Sequence, residues 1–416
     1  MPWDFSTEPE FEEKLDWMRT FVRERIYPME TVGYDRAGFL DAIVPLQEEV
    51  KRRGLWAAHL GPDLGGQGFG QVKLALMHEI LGSSDLAPSV FGNKAPDSGN
   101  SELIAIAGTP EQKERWMWPI LDGRIESAFS MTELGTGSDP RQFVTSAVRD
   151  GDEWVINGRK WFVTNAAEAE FHIVMAVTDP DVDPYKGMSM IIVPTSSAGV
   201  EMRRIGTMCD PGAGDHPVHT EYEVGYEDVR VPLENLLGDE GQAFVMAQQR
   251  LGPGRIHHCM RWLGVCHRAF DAMCERAVSM KLHGSLLSEK QIIQDWVATS
   301  AAAIESTRLL TLHAAWKIDE VGPENARVEI AMIKYHGGPV MHEVLDRAIQ
   351  IHGSLGYSTD LPLEQMYRWS RAARLYDGPD EVHKVTVAKR ILRGYEPREV
   401  PSEHIPTRRA AAVTLA

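Results

Sequence analysis

The stretch RLYDGPDEVHK, residues 374–384, gathers Asp377, Asp380, Glu381 and His383 near the C-terminal end of a 416-residue chain. A carboxylate in an apolar cleft can take a weakly acidic proton, because desolvation raises its basicity. Asp377, Asp380 and His383, at intervals of three, could instead share a helical face and hold a metal, with His216 and His219 nearby. Clustered acids and histidines without cysteines or a His-x-x-x-His pair make a poor ligand set, so no metal is expected. A solvated loop and a proton-abstracting site stay open as readings of this segment.

Two glycine loops invite a phosphate reading. AFSMTELGTGSDP, residues 128–140, places Gly135 and Gly137 after a strand pattern and adds the hydroxyls of Thr132, Thr136 and Ser138. Such a loop can offer N–H groups and hydroxyls to a pyrophosphate, or be a plain turn. GPDLGGQGFG, residues 61–70, has no strand before it and no acidic ribose partner after it, so it is expected to be a structural loop joining helices. A third candidate is LGPGRIHHCMR, residues 251–261, with Arg255, His257, His258 and Arg261. It is either a partly solvated helix start or part of a pocket for an anionic group; His257 and His258 point to different faces, so at most one meets a ligand.

The elements around these residues fall into three blocks. FEEKLDWMRTFVRERI, FLDAIVPLQEEVKRRGLW and VKLALMHEILGSS repeat apolar residues at three and four, predicting helices through 1–125. Period-two, β-branched and aromatic runs from SAFSMT to HTEYEVGYEDVRVP predict a β domain over 126–238, antiparallel because its strands follow one another without helices. IIQDWVATSAAAIESTRLLTLHAAWKID and ARVEIAMIKYHGGPVMHEVLDRAIQIHG predict long helices within 239–395, and 396–416 is expected to be a flexible tail. The fold class is thus mainly α with a β domain.

A composition 43% hydrophobic and 25% charged is that of a globular chain, and a net charge of -17 argues against a general nucleic-acid binder. The N-terminus lacks a basic start and an apolar signal core, and no run is apolar enough to span a membrane, so a soluble, cytoplasmic protein is expected. Cys209, Cys259, Cys266 and Cys274 form no Cys-x-x-Cys pair; the last three share a helical face and are expected to be buried free thiols.

Together these segments resemble the acyl-CoA dehydrogenase family of FAD flavoenzymes. MTELGTGSD (131–139) is similar to the family's flavin loop, with Leu134 in place of the usual proline; VINGRKWFVTNAAEAEFHIVMA (155–176) and AIQIHGSLGY (348–357) are similar to two further family motifs. KAPDSGN (94–100), LGPGRIHHCMR and RLYDGPDEVH resemble the subgroup whose largest members carry a fused kinase-like domain and act in 4-hydroxyacyl-CoA breakdown; this chain has no room for that domain, so such a partner would be separate.

The resemblance implies an N-terminal helical domain, a middle antiparallel β domain and a C-terminal four-helix bundle. It assigns FAD contacts to Phe129, Met131, Thr132, Gly137, Ser138, Phe162, Thr164, Pro379 and Glu381, and contacts to a neighbouring subunit's FAD to Gln350, Gly353, Ser354 and Gly356. Ser138, Arg255 and Gly378 would touch substrate, and Asp377 stands where the family has its glutamate base. Aspartate is shorter by one methylene, about 1.3 Å of reach. The implied activity is α,β-dehydrogenation of an acyl-CoA, with the α-proton going to Asp377 and the β-hydride to flavin N5, a 4-substituted acyl-CoA being one candidate substrate. The implied partners are an electron-transferring flavoprotein and further copies of the chain in a homodimer or homotetramer. A flavin oxidase resembling nitroalkane oxidase and an inactive FAD- or acyl-CoA-binding protein are the alternatives. Met280-Lys281-Leu282-His283-Gly284 departs from the family by lacking an FAD-contacting arginine.

Overall fold

Helices come first: α1 (Pro9–Phe21), α2 (Arg36–Arg52), α3 (Gln71–Leu81), α4 (Ala87–Val90), α5 (Asp97–Ala107), α6 (Pro110–Gln112) and α7 (Trp118–Leu121) in a computed structural model that describes residues 5–64, 66–210 and 219–397. Most of the tail expected at 396–416 lies outside the described residues, as does His216. Helix α1 buries Phe11, Leu15, Met18 and Phe21 on one face. Helix α2 begins where the Asp35 carboxylate accepts the Gly38 N–H at 2.7 Å. The 61–70 loop delivers the chain to α3, whose first amides, Gln71 and Val72, donate to the Asp319 carboxylate at 2.6 and 3.0 Å. Those donors are satisfied by the protein itself, which is the structural role expected for that glycine-rich segment.

Strands β1 (Ser127–Ser130), β2 (Ser146–Asp150), β3 (Glu153–Thr164), β4 (Phe171–Val177), β5 (Met188–Pro194), β6 (Val200–Ile205), β7 (Glu221–Pro232) and β8 (Leu236–Leu237) form a sheet in the order β6-β7-β3-β2-β4-β5-β8. The sheet is rich in antiparallel pairs but not wholly antiparallel. Strand β1 lies parallel to β4, Ser127 opposite Phe171 through Ser130 opposite Val174, and β2 meets β4 in parallel at Ser146 and Val177. The hairpin pattern is local, whereas β1 comes to lie beside β4 across the intervening β2–β3 hairpin, a long-range pairing that alternation does not reveal.

Helix α8 (Ala243–Ser279) runs for 37 residues. A small hairpin, β9 (Lys281–Leu282) with β10 (Ser285–Leu286), turns at His283 and Gly284, both left-handed. Helices α9 (Gln291–Val321), α10 (Arg327–His352), α11 (Leu363–Ala372) and α12 (Asp380–Leu392) follow. Helices α8, α9 and α10 pack on one another, α12 lies against α10, and α3 packs on both α8 and α9, so the first and last helical blocks share one core. All four cysteines are free; Cys259 and Cys266 are buried, while Cys209 and Cys274 are half-buried, which corrects the expectation for Cys274. No described helix is long and apolar enough to cross a membrane, and the described residues hold no cluster of metal-binding side chains.

Candidate functional site

Between α11 and α12 the chain turns through two consecutive left-handed residues, Asp377 (φ +54°) and Gly378 (φ +95°). For a residue with a side chain that conformation costs about 1–2 kcal/mol, and hydrogen bonds from three elements hold it. Lys334 Nζ, buried on α10, donates to the Ala373 carbonyl at 2.6 Å. Arg255 Nε on α8 and His383 Nε2 on α12 both donate to the Asp377 carbonyl, each at 3.1 Å. Arg374 Nε donates to Asp380 Oδ2 at 2.7 Å, committing Asp380 to the turn's own framework. Pro379 caps α12, and Glu381 is exposed in its first turn. The Asp377 N–H makes no hydrogen bond among the described residues.

Asp377 is therefore the acid of this segment that is set among cations and not consumed by the fold. Burial pushes its carboxyl up, but the close approach of His258 and the charges of Arg255, Lys334 and Arg250 outweigh that and hold it below the usual range. Gly378 has little space for more: a Cβ there would lie 3.0 Å from His383 Nε2. Gly378→Ala is expected to destabilise the fold by about 1–2 kcal/mol, the cost of a side chain at positive φ, read from denaturant unfolding; an unchanged midpoint would mean the turn is not constrained.

The cations and histidines of LGPGRIHHCMR are divided by the fold. His257 points into the α3–α8 packing, where Nε2 donates to Gln71 Oε1 at 3.1 Å and the ring stacks on His78 at 4.3 Å. His258 instead faces the base turn, its Nε2 3.4 Å from Asp377 Oδ2. Arg261 donates to the Asn93 carbonyl at 3.2 Å.

Arg250, the residue immediately before that segment, is the cation the sequence reading passed over. Its guanidinium lies against Gly99 of α5, where a Cβ would be 2.7 Å from Nε, and stacks over the Phe129 ring at 4.3 Å. Among the described residues it makes no ion pair, and its buried Nε has no hydrogen-bond partner. Burial pushes Glu102, three residues beyond Gly99, up to about 7, with the Arg250 charge opposing. Arg250 thus joins Phe129, at the start of the glycine loop, to the surroundings of Asp377.

The glycine loop is anchored by a buried ion pair. Lys160 Nζ on β3 donates to Glu133 Oε1 at 2.9 Å and to the Met131 carbonyl at 2.8 Å, while Glu133 accepts the Val144 and Thr145 amides at 2.8 and 3.0 Å. Trp161 N donates to the Thr132 carbonyl at 2.7 Å. The tip is left open: Gly135 and Gly137 are left-handed, and the Gly137 and Ser138 amides and Ser138 hydroxyl make no hydrogen bond among the described residues. Such unpaired donors suit phosphate oxygens.

Next to the loop, the β3–β7 register shifts between Lys160 and Val163. In that bulge Phe162 takes φ +53° and remains 46% exposed against Trp161. A bulge that re-aims one aromatic side chain is a feature of functional sheet edges. The Thr164 hydroxyl donates to Glu221, which burial pushes up to about 7; Glu221 carried no signal in the sequence beyond alternation. Gln350, Gly353 and Ser354 are exposed and Gly356 is buried, at the far end of α10. From Lys334 to Gln350 the helix rises about 24 Å, so these residues are not brought to the base turn of the same chain.

The chain is similar to known proteins over most of its length. The sequence profiles of the acyl-CoA dehydrogenase N-terminal, middle and C-terminal domains match residues 8–124, 128–221 and 241–392. A probable acyl-CoA dehydrogenase of Mycobacterium tuberculosis, FadE2, is 42% identical over 89% of this chain and 93% of its own length. Acyl-CoA dehydrogenase family member 11 of Rattus norvegicus is 40% identical over 92% of this chain, which spans 50% of that relative. The solved structure of a candidate acyl-CoA dehydrogenase from Mycobacterium abscessus superposes with a TM-score of 0.87 at 35% identity, covering 94% of this chain and 100% of the other.

Proposed function

The chain belongs to the acyl-CoA dehydrogenase family, oxidoreductases acting on acyl-CoA, and from that premise we propose that it removes an α-proton from an acyl-CoA thioester with the Asp377 carboxylate. One observation carries this reading. The base turn fixes the Asp377 carbonyl from two sides and leaves its N–H unbonded among the described residues, so one residue offers a carboxylate to the α-carbon and a donor to the thioester oxygen. That oxygen gains negative charge as the proton leaves, and a pre-placed donor stabilises it. Arg255 and His383 hold the turn, and Gly378 leaves room for the thioester.

FAD is the cofactor we infer, because the unpaired amides and hydroxyl of Gly137 and Ser138 fit its phosphates and Phe162 stands out of the sheet as an aromatic wall. Phe129 of β1, Met131 and Thr132 of the glycine loop and Thr164 of β3 are assigned to the same cofactor, with Pro379 and Glu381 assigned to the flavin side of the base turn. When bound, the flavin supplies the acceptor for the β-hydride. The exposed Gln350, Gly353 and Ser354, with Gly356, would serve the cofactor of a second copy, which makes the active protein a homodimer or homotetramer. An electron-transferring flavoprotein is the proposed reoxidant.

The acyl group is proposed to carry an oxygen substituent at C4, hydroxyl or phosphooxy. Arg255 and Arg261 are used by backbone carbonyls and His257 by packing, whereas Arg250 has no acceptor among the described residues. Arg250→Met is expected to lower kcat/KM for 4-phosphooxyacyl-CoA by roughly tenfold to a hundredfold relative to the unsubstituted chain, the worth of a hydrogen bond to a charged group at about 1.5–3 kcal/mol. Equal losses on both substrates would remove Arg250 from substrate recognition. The test of the whole reading is anaerobic bleaching of the flavin by plain, 4-hydroxy and 4-phosphooxy acyl-CoAs. FAD-loaded protein that none of them bleaches would overturn it, and rapid reoxidation by air without a partner protein would make it an oxidase.

A further inference from the structure

His258 has different neighbours at its two ring nitrogens. Arg261 Nη2 lies 3.2 Å from Nδ1, and Asp377 Oδ2 lies 3.4 Å from Nε2. A guanidinium has donors only, so the nitrogen that faces it must be the acceptor. A neutral imidazole whose Nδ1 accepts carries its proton on Nε2, towards Asp377. Arg261 is itself fixed by its bond to the Asn93 carbonyl, and the Tyr376 ring packs against the imidazole at 5.0 Å between centroids. We propose that Arg261 holds His258 as the neutral Nε2–H tautomer, making His258 a positioning donor for the Asp377 carboxylate and not its counter-ion.

The proposal rests on Asp377 being the base, and it explains how a base can stay basic beside a histidine. An imidazolium would pair with the carboxylate and lower its proton affinity; a neutral N–H orients one oxygen and leaves the other for the substrate proton. The groups around His258 favour the neutral ring. Burial, then the charge of Arg261, with Lys334 of α10 and Arg250 of α8 adding to it, pushes His258 down to about 3, Asp377 alone opposing. His78 on α3 and the adjacent His257 are held well below the usual imidazole range by burial and so add no positive charge near neutral pH. Burial pushes Tyr376 far up, so it adds no negative charge. The 3.4 Å separation is long for a hydrogen bond, and contacts of this kind shorten in the substrate complex.

Arg261→Met removes both the donor at Nδ1 and the nearest cation, so the His258 pKa should rise, with burial still holding it below the ordinary imidazole value, and the ring should pair with Asp377 once protonated. The expected result is an acid limb in kcat/KM that begins at a higher pH than in the parent enzyme. In the double variant Arg261→Met/His258→Gln the shift should vanish, because glutamine donates an N–H but does not titrate. FAD content and thermal midpoint, followed at each pH, separate this from loss of folding. A parallel pH profile for Arg261→Met, or a shift that survives in the double variant, overturns the proposal. A second measurement does not depend on any variant folding or on Asp377 being the base. Imidazole nitrogen shifts of 15N-histidine-labelled parent protein at neutral pH should report Nδ1 bare and Nε2 protonated for His258; the other tautomer or an imidazolium overturns it. Failure of the base assignment would show separately, as unchanged flavin bleaching by Asp377→Asn.

Discussion

Replacing Asp377 with asparagine is expected to slow anaerobic flavin bleaching by about two to four orders of magnitude while acyl-CoA still binds, which is the usual worth of a positioned general base. Asparagine keeps the size of the side chain and the backbone bonds to Arg255 and His383, so the loss would belong to the proton acceptor and not to the turn. The pH dependence has a definite sign. The Asp377 carboxyl is held below its ordinary value by neighbouring positive charge despite its burial, so the base is already ionised in the free enzyme at neutral pH. Its kcat/KM should stay level through neutrality and fall only when acid reaches that depressed pKa. The same depression stabilises the fold above the usual carboxylate range and is lost as pH falls. An Asn variant that bleaches as fast as the parent would discard Asp377. The next acid to test would be Glu381, since Asp380 is tied to Arg374.

The second large effect falls on the ion pair beneath the glycine loop. Lys160 and Glu133 are 0% and 3% exposed, so Lys160→Met strands a buried carboxylate and also frees the Met131 carbonyl. Breaking one side of such a pair costs about 3–5 kcal/mol, whereas replacing both sides can be close to neutral. We expect Lys160→Met to lose FAD and to unfold at a lower denaturant concentration, and Glu133→Gln/Lys160→Met to recover part of that stability. Fluorescence of retained flavin and the unfolding midpoint report the two losses separately. A Lys160→Met protein with the parent's midpoint would show that the loop stands without the pair.

Both residues illustrate what periodicity hides. Glu133 and Lys160 occupy an ordinary loop and an ordinary strand, 27 residues apart in sequence, and only the folded sheet makes them partners. Arg250 carried no signal in the sequence; its role depends on Gly99, which leaves the space, and on Phe129, which covers it. The Phe162 bulge and the parallel β1–β4 pair were likewise unreadable, since both are relations between strands and alternation records only each strand's own faces.

By itself, the sequence determined the succession of helices, sheet and helices, through the two periods of its apolar residues, and the family, through short motifs whose backbone demands few residues can meet. Gly378 after Asp377 is one of these: the turn needs φ +95° at that position and has little space for a Cβ beside His383. Tertiary structure alone decided which charges do chemistry. RLYDGPDEVHK presents three carboxylates of nearly equal chemical character; the fold binds Asp380 to Arg374, leaves Glu381 exposed, and sets Asp377 among Arg255, His258, Lys334 and Arg250. Charges act through distance and burial, and both are set by other chain segments, those of helix α8 more than a hundred residues away in sequence.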